Sequence, residues 1–197
     1  MLLSNKNIVI VGGTSGIGFS AASAFVNEGA NVIAIGRKPD RITKTQKILG
    51  NHGTAIQGNA ADSTTAQEGI QLAVDEYGSL HGLYHVAGGS GRGKGDGPLH
   101  EISDEGWDYT LSTNLDAIFY SNRAAIKQFL KQSDGGTILN MSSVLGFSPS
   151  SKYFATHAYA STKAAVIGLT KSLASYYANQ NIRFNVIAPG LVATPMS

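Results

Sequence analysis

A tyrosine and a lysine stand four residues apart in His157-Ala-Tyr159-Ala-Ser-Thr-Lys163. On a helix that spacing puts them one above the other on one face. A phenol beside a fixed ammonium is a proton donor: its ordinary pKa is about 10, and a nearby positive charge favours the phenolate. With 8 Tyr and 10 Lys in 197 residues, chance supplies about 0.4 such spacings, so the pair gains meaning only from its surroundings. Standing alone, it is as well read as a surface pair.

A second constellation lies near the start. The apolar run Asn7-Ile-Val-Ile-Val leads into Gly12-Gly-Thr14-Ser15-Gly16-Ile17-Gly18, and a helical stretch follows over 19–28. A glycine turn between a strand and a helix lets a phosphate rest on unpaired backbone N–H groups at the helix N-terminus. The alternative is a tight turn that binds nothing. No Lys-Ser/Thr pair follows the last glycine, so the stretch is not a P-loop. The second strand, 31–36, ends in Arg37-Lys38, with no acid before Asp40. At the end of such a strand an acid meets a free ribose 2′-hydroxyl and basic residues accommodate a 2′-phosphate. The basic pair therefore favours NADP(H) over NAD(H), unless it is only a solvated loop pair.

The elements that must position these residues follow from periodicity and breakers. Helix 39–49 ends at Gly50, strand 54–57 follows, and Asp62 is the expected N-cap of helix 63–77. Strand 80–87 carries His81 and His85, read as hydrogen-bonded structural residues. A glycine-rich stretch, 88–98, holds Arg92 and Lys94 and is expected to be a mobile loop at the mouth of a site, with no catalytic residue assigned. Ser103-Asp-Glu caps a long helix whose Trp107, Leu111, Leu115, Ile118 and Phe119 form an apolar stripe. Asn114 sits inside that helix, where asparagine is a poor former. Strand 137–141 ends at Ser142-Ser143, the Tyr159 helix runs to about 178, and strand 182–188 breaks at Pro189-Gly190. Six strands alternating with five helical segments imply a parallel α/β sheet, doubly wound, with helices on both faces. No linker divides residues 1–197, so one domain is expected.

Composition narrows the classes. A net charge of +2 gives no footing for nucleic acid, and the absence of cysteine excludes disulfides and thiolate chemistry. No spacing supports a metal site. The N-terminus lacks an apolar core long enough for a signal or a span. The chain is read as soluble and cytoplasmic.

Taken together, Gly12-xxx-Gly16-Ile-Gly18, the Asn114 helix, Asn140-Met-Ser-Ser143, Tyr159-xxx-Lys163 and Pro189-Gly190 with Thr194 resemble the short-chain dehydrogenase/reductase family in its single-domain branch. The likeness implies a Rossmann-type fold and hydride transfer between a nicotinamide cofactor and a carbonyl/alcohol substrate. It implies Tyr159 as general acid/base, Lys163 holding the nicotinamide ribose and lowering the Tyr159 pKa, and Ser143 donating to the substrate oxygen. It implies Asn114 holding a water near the lysine in a proton relay. The cofactor-binding set it implies is Gly12, Thr14, Ser15, Gly16, Ile17 and Gly18 at the pyrophosphate turn and Arg37 and Lys38 at the ribose. Asn59 and Ala60 would lie at the adenine, Ala87 and Gly88 after the fourth strand, Tyr159 and Lys163 at the nicotinamide ribose, and Pro189, Gly190, Val192 and Thr194 near the nicotinamide amide. The family's subunits pair across a two-fold axis, so a homodimer or homotetramer is expected.

Departures from the pattern are specific. Val11 stands for a threonine, His85-Val-Ala87-Gly88 for Asn-Asn-Ala-Gly, and His81 for an aspartate. The Ser143–Tyr159 gap is long, which leaves Ser142 or Ser143 open as the residue facing substrate. Family members continue past Thr194 with a covering segment, a seventh strand and a last helix. The chain is therefore expected to be a fragment, a shortened frame, or a protein whose cover comes from a partner. The second reading is a truncated, non-catalytic nucleotide-binding or scaffold member. Substrate choice is expected in the covering segment, with some in 88–98 and 147–156.

Overall fold

A computed structural model of the chain describes residues 1–132, 134–150 and 154–194. Its six strands are β1 (Asn7–Val11), β2 (Asn31–Gly36), β3 (Gly53–Gln57), β4 (Gly82–His85), β5 (Gly136–Met141) and β6 (Ile182–Ile187). They form one sheet in the order β3-β2-β1-β4-β5-β6, every neighbouring pair parallel. That is the expected doubly wound α/β sheet of Rossmann type. Strand order reverses between β1 and β4, and open α/β sheets bind ligands in the crevice outside the carboxyl ends at that point.

The helices are α1 (Gly16–Asn27), α2 (Pro39–Leu49), α3 (Thr65–Tyr77), α4 (Asp104–Leu111), α5 (Ala117–Gln132) and α6 (His157–Tyr177). β1 is buried along its whole length, and its β-branched residues alternate between two cores. Val9 and Val11 join Ile33, Ile35, Leu83 and Phe129 on the side of α3, α5 and α6. Ile8 and Ile10 join Ala22, Val32, Ala34 and Leu49 on the side of α1 and α2.

Several boundaries differ from the sequence reading for physical reasons. α1 begins at Gly16, inside the glycine turn, so the turn supplies the first helical residues. α3 begins only at Thr65, and Asp62 does not cap it: its amide donates to the Asn59 carbonyl (2.9 Å) and its carboxylate accepts from the Asn59 amide (3.3 Å), closing a turn. β4 is shorter than 80–87 because the Val86 and Ala87 amides both turn to the Val11 carbonyl, each at 2.9 Å. His81 lies outside β4, where its Nδ1 accepts from the Asn7 amide at 3.0 Å.

The long helix after Ser103 begins as expected, the Ser103 hydroxyl accepting from the Gly106 amide at 3.1 Å. It is broken, however, by a π turn, Ser112–Asp116, between α4 and α5. The cause is Asn114: its side-chain amide donates to the Thr110 carbonyl at 2.9 Å, inserting into the ladder four residues back. The apolar stripe is split accordingly, with Ile118 fully buried and Phe119 exposed. No helix among the described residues is long and apolar enough to cross a membrane.

Candidate active site

The chemistry gathers at the carboxyl ends of β4 and β5, against the first two turns of α6. β5 delivers Ser142 and Ser143. The Ser142 hydroxyl is spent on the Lys163 carbonyl at 2.7 Å, a buried bond that ties β5 to α6. The Ser143 hydroxyl accepts from the Leu145 amide at 3.2 Å, capping the short turn Val144–Gly146, and it stands close enough to the Tyr159 phenol to favour its phenolate form. Of the two serines left open by sequence, Ser143 is thus the one beside Tyr159. Gly146 packs that turn onto α6 so closely that a Cβ there would lie 2.8 Å from the Ala164 nitrogen.

Lys163 is buried, and its Nζ donates to the Met141 carbonyl at 3.0 Å and stands 5.4 Å from the centre of the Tyr159 ring. Burial pushes the Lys163 ammonium down to about 8. Burial pushes the Tyr159 phenol up, and the neighbouring Ser143 hydroxyl pulls it back only in part. The lowering of Tyr159 expected from Lys163 is therefore not the net result. The site holds a neutral phenol at neutral pH, the form that donates a proton.

Asn114 is also buried, but its amide is fully engaged. Besides Thr110, it donates to the Gly89 carbonyl (2.9 Å) and accepts from the Gly89 amide (3.1 Å). It works as a clamp between the π turn and the chain leaving β4. Gly88 fits under that clamp because a Cβ would meet Asn114 Oδ1 at 2.6 Å and Lys163 Nζ at 3.4 Å.

Beside it lies His85, fully buried, its Nδ1 2.7 Å from the Ser121 hydroxyl. The Ser121 hydroxyl also lies 3.1 Å from the Ile118 carbonyl, so it can join the imidazole to the backbone of α5. Burial first, then the Lys163 charge, push His85 down to about 3, so it stays neutral. Asn140, at the same level of β5, exchanges two amide bonds with Asn122 of α5 (2.9 and 3.0 Å) and donates to Thr170 of α6 (3.1 Å). Sequence reading missed Ser121, Asn122 and Thr170; nothing local marks them.

The other half of the crevice is the glycine turn. Gly12 has φ +91°, and a Cβ there would meet the Ala87 nitrogen at 2.7 Å. The turn and the end of β4 thus press together at the strand-order reversal. A Cβ on Gly18 would overlap the Gly12 carbonyl. Ser15 caps α1 without a side-chain bond. Thr14 is buried against Gly36. Arg37 and Lys38 are exposed and follow Ile35, whose carbonyl accepts from Gly12 (2.9 Å) and Gly13 (3.0 Å). Asn59 and Ala60 follow β3 on the same edge. Pro189 joins the β5 end, its carbonyl accepting from Val144 at 3.0 Å, and Gly190, Val192 and Thr194 continue from it; Pro195, Met196 and Ser197 lie outside the described residues. The 88–98 loop is not free at the site mouth: it is anchored to α6 through the buried carboxylate of Asp96. Of the 147–156 stretch, residues 151–153 lie outside the described residues.

A sheet in this order, with a glycine turn on its reversal point, defines a dinucleotide-binding fold of the oxidoreductase type. The family model described as short chain dehydrogenase matches residues 6–197. The chain belongs to the short-chain dehydrogenase family, whose members bind a nicotinamide cofactor and interconvert alcohols and carbonyls. It is 34% identical to Oxidoreductase UcpA of Salmonella typhimurium, over 99% of this chain and 72% of that one. It is 34% identical to the 3-oxoacyl-[acyl-carrier-protein] reductase FabG of Thermotoga maritima, over 100% of this chain and 78% of that one. A solved structure of a short-chain type dehydrogenase/reductase from Mycobacterium ulcerans superposes with a TM-score of 0.87 at 27% identity. The match covers 99% of this chain and 70% of that one.

Proposed function

We propose that the protein transfers hydride between NADP(H) and a carbonyl/alcohol pair of a small or medium organic substrate, with Tyr159 as the general acid/base. The observation that carries this reading is the constellation of Ser143, Tyr159 and Lys163: a serine hydroxyl beside the phenol, and a buried cation 5.4 Å from the phenol ring.

The residues present fit a dinucleotide. The helix N-terminus at Gly16 can take a pyrophosphate, Gly12 and Gly18 let the turn pack tightly against the end of β4 and itself, and Arg37-Lys38 offers charge to a 2′-phosphate. Gly12, Thr14, Ser15, Gly16, Ile17 and Gly18 form the turn, and Asn59, Ala60, Ala87, Gly88, Pro189, Gly190, Val192 and Thr194 the remaining walls. A nicotinamide cofactor, when bound, supplies or accepts the hydride.

The chain's own part is proton management. In reduction, negative charge builds on the carbonyl oxygen. The Ser143 and Tyr159 hydroxyls meet that charge, and the Tyr159 proton neutralises it. In oxidation the phenolate takes the proton back, a form that the Lys163 charge favours. Asn114 contributes by fixing Gly89, next to Gly88 beside Lys163, in addition to the water-holding role that the family likeness implies. The name of the Thermotoga relative gives that protein a 3-oxoacyl substrate; for this chain it supports only the carbonyl class. The cysteine-free composition fits the cytoplasm, and exposed apolar residues on α5 and α6 fit a homodimer or homotetramer.

The test is oxidation of NADPH and of NADH with cyclohexanone, acetophenone and ethyl acetoacetate, alongside the reverse reaction with the matching alcohols. Turnover with NADPH preferred supports the reading, and failure with every pair in both directions defeats it. Arg37→Asp should raise the KM for NADPH by at least about tenfold and that for NADH by less than about threefold. Equal effects on both would contradict 2′-phosphate recognition.

A further inference from the structure

The first turn of α6 carries Tyr159, and a helix start leaves its N–H groups without intrahelical partners. The local cap position is Thr156, yet Thr156 makes no side-chain cap bond, and its buried hydroxyl has no hydrogen-bond partner among the described residues. The partners come from some 60 residues upstream. Asp96 Oδ1 accepts from the Ala158 amide at 3.0 Å and Asp96 Oδ2 from the Tyr159 amide at 2.9 Å, while the Gly97 carbonyl accepts from the His157 amide at 3.5 Å. Three consecutive helix-start amides are thus closed by two loop residues. Asp96 is 5% exposed, and a buried carboxylate at a helix N-terminus is held by charge-assisted bonds and by the helix dipole.

The loop is itself seated. The Asp96 amide donates to the Gly91 carbonyl at 3.2 Å and the Lys94 amide to the same oxygen at 2.8 Å. Gly91, at φ +71°, packs against the Thr110 hydroxyl of α4. Gly106 of α4 lies under the loop, where a Cβ would meet the Lys94 carbonyl at 2.7 Å. Asp96 therefore sits on a fixed base that rests on α4, and it holds the backbone of Tyr159 itself. Ser143 is fixed independently by β5. The phenol-to-serine distance is set by two supports, β5 on one side and Asp96 on the other.

We propose that Asp96 is a positioning residue: it clamps the first turn of α6 to the 88–98 loop so that the Tyr159 hydroxyl stays against Ser143. This rests on the reading of Tyr159 as the proton donor, and it gives the glycine-rich loop a part in the reaction. The clamp acts on the reacting geometry. Its loss should therefore fall on kcat, since a misplacement of about 1 Å costs about 100-fold in rate.

The experiment compares wild type, Asp96→Ala and Asp96→Asn, with NADPH and the same three ketones, at a temperature where all three are folded. Amide hydrogen exchange over residues 157–159 is measured in parallel. Asp96→Ala should lower kcat about 100-fold while the ketone KM changes less than about threefold, and should speed exchange at 157–159 at least about tenfold. Asp96→Asn keeps one acceptor and should return kcat to within about tenfold of wild type. A purely structural Asp96 would lower the melting temperature and leave kcat of the folded protein unchanged; that result overturns the proposal, as does unchanged exchange. If Asp96→Ala does not fold, Asp96→Asn and Asp96→Ser carry the same comparison. A wild type inert toward all three ketones would count against the reductase reading instead, and the exchange measurement would still decide the clamp.

Discussion

Tyr159 and Lys163 show how far residue types can be read and where context takes over. Their spacing and shared helix face follow from the chain alone. Their titration does not, because it depends on burial: Tyr159 is pushed up and Lys163 down to about 8. His85 makes the point more sharply. Its partner Ser121 is 36 residues away, so no local pattern announces a buried, neutral imidazole. That burial has a consequence for acid stability. His85 stays unprotonated in the fold down to about 3, whereas in the unfolded chain it takes up a proton near 6.5. The unfolded state then binds more protons, and stability falls as pH drops from 6.5 towards 3, at about 1.4 kcal/mol per unit. Urea titrations at pH 7 and pH 5 should show this loss in wild type. In His85→Asn, which does not titrate and keeps a polar group for Ser121, most of the loss should vanish; an equal loss in both would contradict the assignment of the loss to His85.

Elements were legible where pattern is local and obscure where a side chain intrudes. Strands β1, β2 and β5 and helix α2 declare themselves by apolar runs and breakers. The π turn does not, because the Asn114 amide enters the helix ladder only while it also holds Gly89. The start of α6 is equally silent, its cap lying 62 residues upstream in Asp96. Asn140 binds elements rather than substrate: its two bonds to Asn122 and one to Thr170 join β5, α5 and α6 at the level of the site. Asn140→Ala would leave the Asn122 amide buried without either of those bonds. It should cost about 3 kcal/mol, read by denaturant unfolding. A cost under about 1 kcal/mol would mean that the three elements are held by apolar packing alone.

At the scale of the molecule, the sheet order brings the glycine turn after β1 and the serines after β5 to the carboxyl edge of one parallel sheet. Sequence alternation was enough to give a parallel sheet with helices on both faces, because parallel strands need helical crossovers, but it left the strand order open. It could not say which apolar residues face outward. Phe119 is 45% exposed and Leu130 47% exposed on α5, and Tyr176 is 73% exposed on α6. Single exposed residues are ordinary, but on the outer helices they suit a self-complementary face. Light scattering should give a mass of two or four times 20.6 kDa, and Phe119→Glu should shift it towards one. A monomer at micromolar concentration would contradict the expected pairing.

The central claim is that the Tyr159 hydroxyl carries the proton. Removing that one oxygen tests it most directly. NADPH-dependent ketone reduction should fall about 100- to 10,000-fold in Tyr159→Phe, with an unchanged melting temperature showing that the fold survives. Equal turnover by wild type and Tyr159→Phe would contradict the account.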